Sequence, residues 1–254
     1  MLKFFRAAAL GAALAVAAIA PAPAQSLNDG QKREIETLIK DYLIKNPEII
    51  QEALMELERR QREAEVAARQ KITKDPNGPL LASKHNVVLG NPRGNVTMVE
   101  FFDYNCGFCK RGLADLQRLA VEDKNLRIIL KDFPILTPGS REAAAVAMAV
   151  KKQVRPEKYW EFHVKLMGRS GAIGKNEAFE VAKEVGADLA RVEADMVQPE
   201  VAEALNESRQ LADSLGLTGT PSYVIGDEVV VGAVGFAQLK EKIDNTRKCG
   251  KAQC

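Results

Sequence analysis

The chain has 254 residues, of which 46% are hydrophobic and 28% charged, and its 36 basic against 34 acidic side chains leave a formal charge of +2. So near a balance excludes a basic surface built to hold nucleic acid or an anionic membrane. Four cysteines are too few for a disulfide-dense scaffold, and a chain of this length buries a core without covalent staples. At the N-terminus, Lys3 and Arg6 precede an apolar run from Ala7 to Ala20, followed by Ala22-Pro23-Ala24, a small-x-small cleavage pattern. Residues 1–24 are therefore expected to be an export signal cut after Ala24, whose loss brings the formal charge of +2 to zero. The alternative, an uncleaved anchor, has a run short against the ~20 apolar residues that a span needs.

Residues 26–72 form a separate helical region. Ile35, Leu38, Ile39, Tyr42 and Leu43 recur at helical spacing, and Asn46-Pro47 supplies a cap and a first-turn proline for a second helix. Ile49, Ile50, Ala53, Leu54 and Leu57 continue the apolar face. Beyond it the sequence turns polar, with Glu56/Arg60, Glu58/Arg62 and Glu65/Arg69 at i, i+4. Two amphipathic helices cannot bury their stripes alone, so the region must pack on the rest of the chain or on copies of itself.

Lys74-Asp75-Pro76-Asn77-Gly78-Pro79 ends this helix as a linker, and Val87 to Gly94 reads as a short strand ending in a turn. The run Val96 to Phe102 is β-branched and aromatic, whereas Lys110 to Val121 repeats Leu113, Leu116, Leu119 and Ala120 at helical spacing. Between them lies Cys106-Gly107-Phe108-Cys109, so both sulfurs sit where a helix begins. Unpaired N–H groups and the helix dipole there favour thiolate, the form that attacks disulfides. A partner three positions on can close an intramolecular disulfide, which makes the pair a redox couple. A zinc site is the competing use, but Cys249 and Cys254 are wrongly spaced for a second knuckle and His85 and His163 lie far off. Inert buried cysteines are the other alternative, and a strand-to-helix turn is expected to be an exposed place for them.

Leu126 to Phe133 is a further strand, predicted parallel to the first across the helix. From Ser140 to Gly216 the pattern is helical, with starts at Ser140, Pro156, Asn176, Asp188 and Pro199 and stops at Gly168, Gly186 and Gly216. Trp160 and His163 share one of these helices as expected packing residues. Thr218 to Ile225 and Glu228 to Val231 return to strand, and Gly235 to Arg247 closes as a helix. The tail, residues 249–254, carries Cys249 and Cys254, for which a local disulfide is the first expectation, ahead of a second redox centre or a metal clip.

The run Glu100-Phe-Phe-Asp-Tyr-Asn-Cys-Gly-Phe-Cys-Lys resembles the active-site strand and helix of the DsbA-like branch of the thioredoxin superfamily. The resemblance implies an α/β thioredoxin-like fold over residues 86–248, with residues 140–216 as an inserted helical domain and an N-terminal helical arm before it. It makes Cys106 the nucleophile, Cys109 the resolving cysteine and Glu100 the buried acid that exchanges protons with the resolving thiol. A solvated strand position is the alternative for Glu100. Pro221, with Thr220 before it, would be the family's cis-proline facing the disulfide, although the residues alone favour trans. The segment Asp41 to Leu54 resembles the N-terminal region of suppressor-of-copper-sensitivity C-type proteins, which implies assembly into homo-oligomers through residues 26–72. An arm docked on its own chain is the alternative.

The reading is thus a periplasmic thiol-disulfide oxidoreductase acting on exported proteins. A strongly oxidising member of the superfamily carries a proline-histidine dipeptide between its cysteines, whereas Gly107-Phe108 and Thr220 resemble the periplasmic isomerases. Isomerase or reductase is therefore favoured over oxidase. An isomerase needs a membrane thiol reductase as partner, and an oxidase needs a membrane oxidant. No motif calls for a nucleotide, flavin or other cofactor. The competing class is a copper-binding protein in which the same two thiolates hold Cu(I).

Overall fold

A computed structural model describes residues 27–254, so the expected export signal, residues 1–24, lies outside the described residues. The described residues divide into two compact units, 27–59 and 60–254. In the first, α1 (Asp29–Lys45) is opened by Asn28, whose side chain accepts from the Gln31 N–H at 2.9 Å while Gln31 reaches back to the Asn28 N–H at 3.0 Å. Asn46 closes this helix, its amide donating to the Tyr42 carbonyl at 2.8 Å. One residue later α2 (Glu48–Thr73) begins, so the Asn46-Pro47 pair ends one helix as well as starting the next. No residue of α1 is buried.

The second unit is organised on a five-stranded mixed sheet: β1 (Val87–Gly90), β2 (Val96–Phe102), β3 (Leu126–Asp132), β4 (Ser222–Ile225) and β5 (Glu228–Val231), in the order β1-β3-β2-β4-β5. The parallel pair β2 and β3 is joined by α4 (Gly107–Glu122), and the remaining pairings are antiparallel. Both faces of the sheet are covered. Met98, Phe102, Ile128, Leu130, Tyr223 and Ile225 face one core with Leu116 and Leu119 of α4. Val99, Phe101, Ile129 and Val224 face the other, against Leu211 and Leu215. This two-residue alternation places Glu100 beside Met98 and Phe102 on the α4 side, where it is buried.

The linker after α2 is short. Pro79 opens a single helical turn, α3 (Pro79–Ala82), whose Leu80 is fully buried in the second core. Between β3 and β4 run α5 (Pro138–Lys151), α6 (Pro156–Gly168), α7 (Lys175–Glu184), α8 (Leu189–Met196) and α9 (Pro199–Leu215). Small side chains on α5, Ala143, Ala144, Ala147 and Ala149, let its neighbours approach closely. Its cap is Thr137 rather than a residue near Ser140, because Thr137 and Ser140 satisfy each other's N–H groups at 3.0 and 3.3 Å. The last helix, α10 (Phe236–Cys249), buries Leu239 and Ile243, and Cys249 is disulfide-bonded to Cys254.

Candidate redox-active site

Strand β2 runs into the site through Asp103, Tyr104 and Asn105, each held by a different contact. The buried Asp103 carboxylate accepts the Asn105 N–H at 2.8 Å with one oxygen, and the Ile135 and Leu136 N–H groups at 2.9 and 3.1 Å with the other. The Tyr104 hydroxyl meets His163 Nδ1 at 3.3 Å, and Trp160 stacks on that imidazole. Burial pushes His163 down to about 3, so the ring is neutral and serves as packing. Asn105 crosses to the loop after α6, accepting the Ile173 N–H at 2.7 Å and donating to the Ile173 carbonyl at 2.8 Å.

Cys106 is the N-cap of α4, and its sulfur accepts the Cys109 N–H at 3.4 Å. The same thiol donates to the Thr220 carbonyl at 3.0 Å, and the Thr220-Pro221 bond is cis. Neither cysteine is joined in a disulfide in this structure. The turn is not the exposed place that the sequence suggests, since Cys106 is 4% and Cys109 2% accessible. The cover includes the turn that carries Thr220, which arrives from a distant part of the chain. Phe108 is 57% exposed, with the Arg111 guanidinium 4.1 Å over its ring.

Beneath the helix, Glu100 stands opposite Tyr223 in the β2/β4 register. Burial pushes the Glu100 carboxyl from 4.5 up to about 8, with the Tyr223 hydroxyl drawing it partway back by hydrogen bonding. Burial also pushes the Cys109 thiol far up, and a negative charge on Glu100 pushes it further. The helix above has a glycine at position 112, where an added Cβ would lie 3.1 Å from the Tyr223 hydroxyl. The five residues singled out in the sequence, Cys106, Cys109, Glu100, Thr220 and Pro221, thus fall in one region of the second unit. Tyr223 and Asn105 were not singled out. Tyr223 has no sequence signal of its own, because it comes opposite Glu100 only through the β2/β4 register. Asn105 has none beyond its place before Cys106. Among the described residues no group of three or more His, Cys, Asp or Glu side chains is placed to hold a metal ion.

A dithiol at the start of a helix, a carbonyl from a cis-proline turn at its first sulfur and a buried acid near the second thus come together on a thioredoxin-like fold. Residues 97–244 match the DSBA-like thioredoxin domain, and residues 31–64 match the copper resistance protein ScsC N-terminal domain. The chain belongs to the DsbA-like family. A thioredoxin-like oxidoreductase from Silicibacter pomeroyi DSS-3 superposes with a TM-score of 0.63 at 42% identity, over 71% of this chain and 98% of that one. The thiol-disulfide exchange protein alpha-DsbA2 from Wolbachia pipientis gives 0.65 at 29% identity, over 72% and 97%. Disulfide bond formation protein D of Bacillus subtilis is 26% identical over 179 residues, which is 65% of this chain and 78% of that protein. Of a Na(+)/H(+) antiporter from Salinispora arenicola the chain spans only 21% of the length.

Proposed function

We propose that the chain is a periplasmic protein thiol-disulfide exchanger working as an isomerase or reductase. The observation that carries this is the setting of the Cys106 sulfur, whose hydrogen bonds run to the Thr220 carbonyl and from the Cys109 N–H. The flanking dipeptide offers an exposed aromatic, Phe108, where an oxidase of the superfamily has an imidazole. An imidazolium there would stabilise the reduced form and make the disulfide a stronger oxidant. Without it the reduced form loses that stabilisation, so the disulfide is a weaker oxidant and the dithiol a better reductant.

In the proposed cycle the Cys106 thiolate attacks one sulfur of a substrate disulfide, forming a mixed disulfide and releasing the other sulfur as a thiolate. If that released thiolate attacks a second disulfide of the substrate, and the thiolate so freed attacks the mixed disulfide, the bonds are reshuffled and Cys106 leaves as a thiolate again. If Cys109 attacks Cys106 instead, the substrate leaves as a dithiol and the protein keeps the disulfide, having given up two electrons. Cys109 must first lose its proton, and Glu100 in its ionised form would take it. A membrane thiol reductase would restore the dithiol. The backbone at Thr220 and Pro221, which already meets the Cys106 sulfur, would receive the substrate chain.

Residues 1–24 would direct export and be removed, and residues 26–72 would join copies of the chain. The support for assembly is the exposed apolar stripe Ile35, Leu38, Ile39, Tyr42, Ile50, Leu54 and Leu57. Insulin reduction measured beside refolding of a scrambled disulfide protein tests the reading, and activity in both is expected. Activity only in oxidising a reduced substrate would assign the chain as an oxidase. Cu(I) binding by the two thiolates is the second reading, favoured by the match of residues 31–64 to a copper resistance protein. Stoichiometric copper without disulfide exchange would establish it.

A further inference from the structure

The loop of residues 169–174 is fastened at both flanks of the reactive cysteine. Just before Cys106, the Asn105 amide grips the Ile173 peptide group at two points, 2.7 and 2.8 Å, and also donates to Ser140 Oγ at 3.0 Å. One turn after Cys106, the Lys110 ammonium donates to the carbonyls of Arg169 at 2.6 Å and Gly171 at 3.5 Å. A third contact seats the loop from behind. Gly139 lies so close that an added Cβ would be 2.7 Å from the Ile173 carbonyl oxygen. The tip, Ser170-Gly171-Ala172, is left exposed. The segment is thus tied to a residue on each side of Cys106 in the chain, and nothing in the exchange chemistry itself uses it.

We propose that Asn105 is a positioning residue for macromolecular substrates: by clamping Ile173 it fixes the 169–174 loop as a wall against which an extended segment of an unfolded protein, carrying the disulfide under attack, lies across Cys106. A small disulfide reaches the sulfur without touching this wall. The inference rests on the exchange activity proposed above and adds to it a determinant of substrate size.

The test compares the full-length chain with Asn105→Ala and Asn105→Asp, using insulin as the protein disulfide and glutathione disulfide as the small one. The aspartate keeps an acceptor for the Ile173 N–H but loses the donor to the Ile173 carbonyl. KM for insulin is expected to rise about tenfold in both variants, the loss of one to two net hydrogen bonds. The rate with glutathione disulfide should change less than about twofold on the same scale. Gly139→Ala, which displaces the loop and leaves Asn105 in place, should reproduce the split and keeps the test open should Asn105→Ala fail to fold. Equal losses on both substrates, or no loss on insulin in any of the three, would overturn the proposal. An unmodified chain inactive on both substrates would instead remove the exchange reading itself.

Discussion

The two compact units put the same kind of sequence pattern to opposite uses. In α4 the apolar residues at helical spacing, Leu116 and Leu119, are buried against the sheet. In α1 the equivalent stripe stays bare, with Leu38 at 69% and Tyr42 at 54% exposure. Periodicity therefore reports that a face is to be covered without saying by what. In the catalytic unit the cover is supplied by the chain itself, through a sheet that offers two apolar faces. In residues 27–59 nothing in the unit covers the stripe, and a second copy of the chain is the occupant proposed above.

Substitutions that act on only one side of this contrast can break it. The largest effect is expected from Leu38→Asp combined with Ile39→Asp. Each apolar side chain buried at an interface is worth about 1.5 to 3 kcal/mol, so the pair should convert the assembly to monomer in light scattering while insulin reduction per active site persists. An unchanged mass would show that this stripe is not the surface that joins copies. Next is Leu119→Ala, a cavity in the covered helix, which should cost about 2 to 5 kcal/mol in denaturant unfolding. Leu38→Ala should leave that transition within about 0.5 kcal/mol.

Glu100 sharpens the comparison inside the catalytic unit, because its carboxyl is buried where the arm buries none. Its ordinary value of 4.5 is raised to about 8, so the folded chain holds a proton that the unfolded chain releases in that range. Stability is then lost as pH climbs from the lower value to the higher one. Glu100→Gln cannot titrate, and it should be the more stable protein by a margin that grows from near zero at about pH 4.5 to on the order of 3 kcal/mol at about pH 8. A constant margin across that range would contradict the buried, protonated acid. The smallest effect is expected at Asp188, whose side chain caps α8 by accepting the Arg191 N–H at 3.1 Å. Its replacement by alanine should cost about 1 kcal/mol.

Strands, helices and the strand-turn-helix carrying Cys106 and Cys109 were legible in the sequence because each depends on residues close together in the chain. The disulfide in the tail, Cys249 to Cys254, is legible for the same reason. What was not legible depends on distant segments meeting. The low exposure of Cys106 owes to Thr220, and the burial of Glu100 owes to the distant strand β4 as well as to the nearby α4. Tyr223 becomes Glu100's partner only through the β2/β4 register, and Asn105 gains its role only when the loop at Ile173 arrives. The small shifts of helix starts, from Ser140 to Pro138 and from Asn176 to Lys175, reflect caps chosen by local hydrogen bonding.

The central claim is that Cys106, rather than Cys109, is the sulfur that first bonds to a substrate. Incubating the full-length Cys109→Ser variant with a protein disulfide and mapping the trapped adduct by mass spectrometry tests it directly. The account predicts a stable mixed disulfide through Cys106, and none through Cys109 in the matching Cys106→Ser variant. Equal trapping through Cys109, or no adduct in either variant, would contradict it.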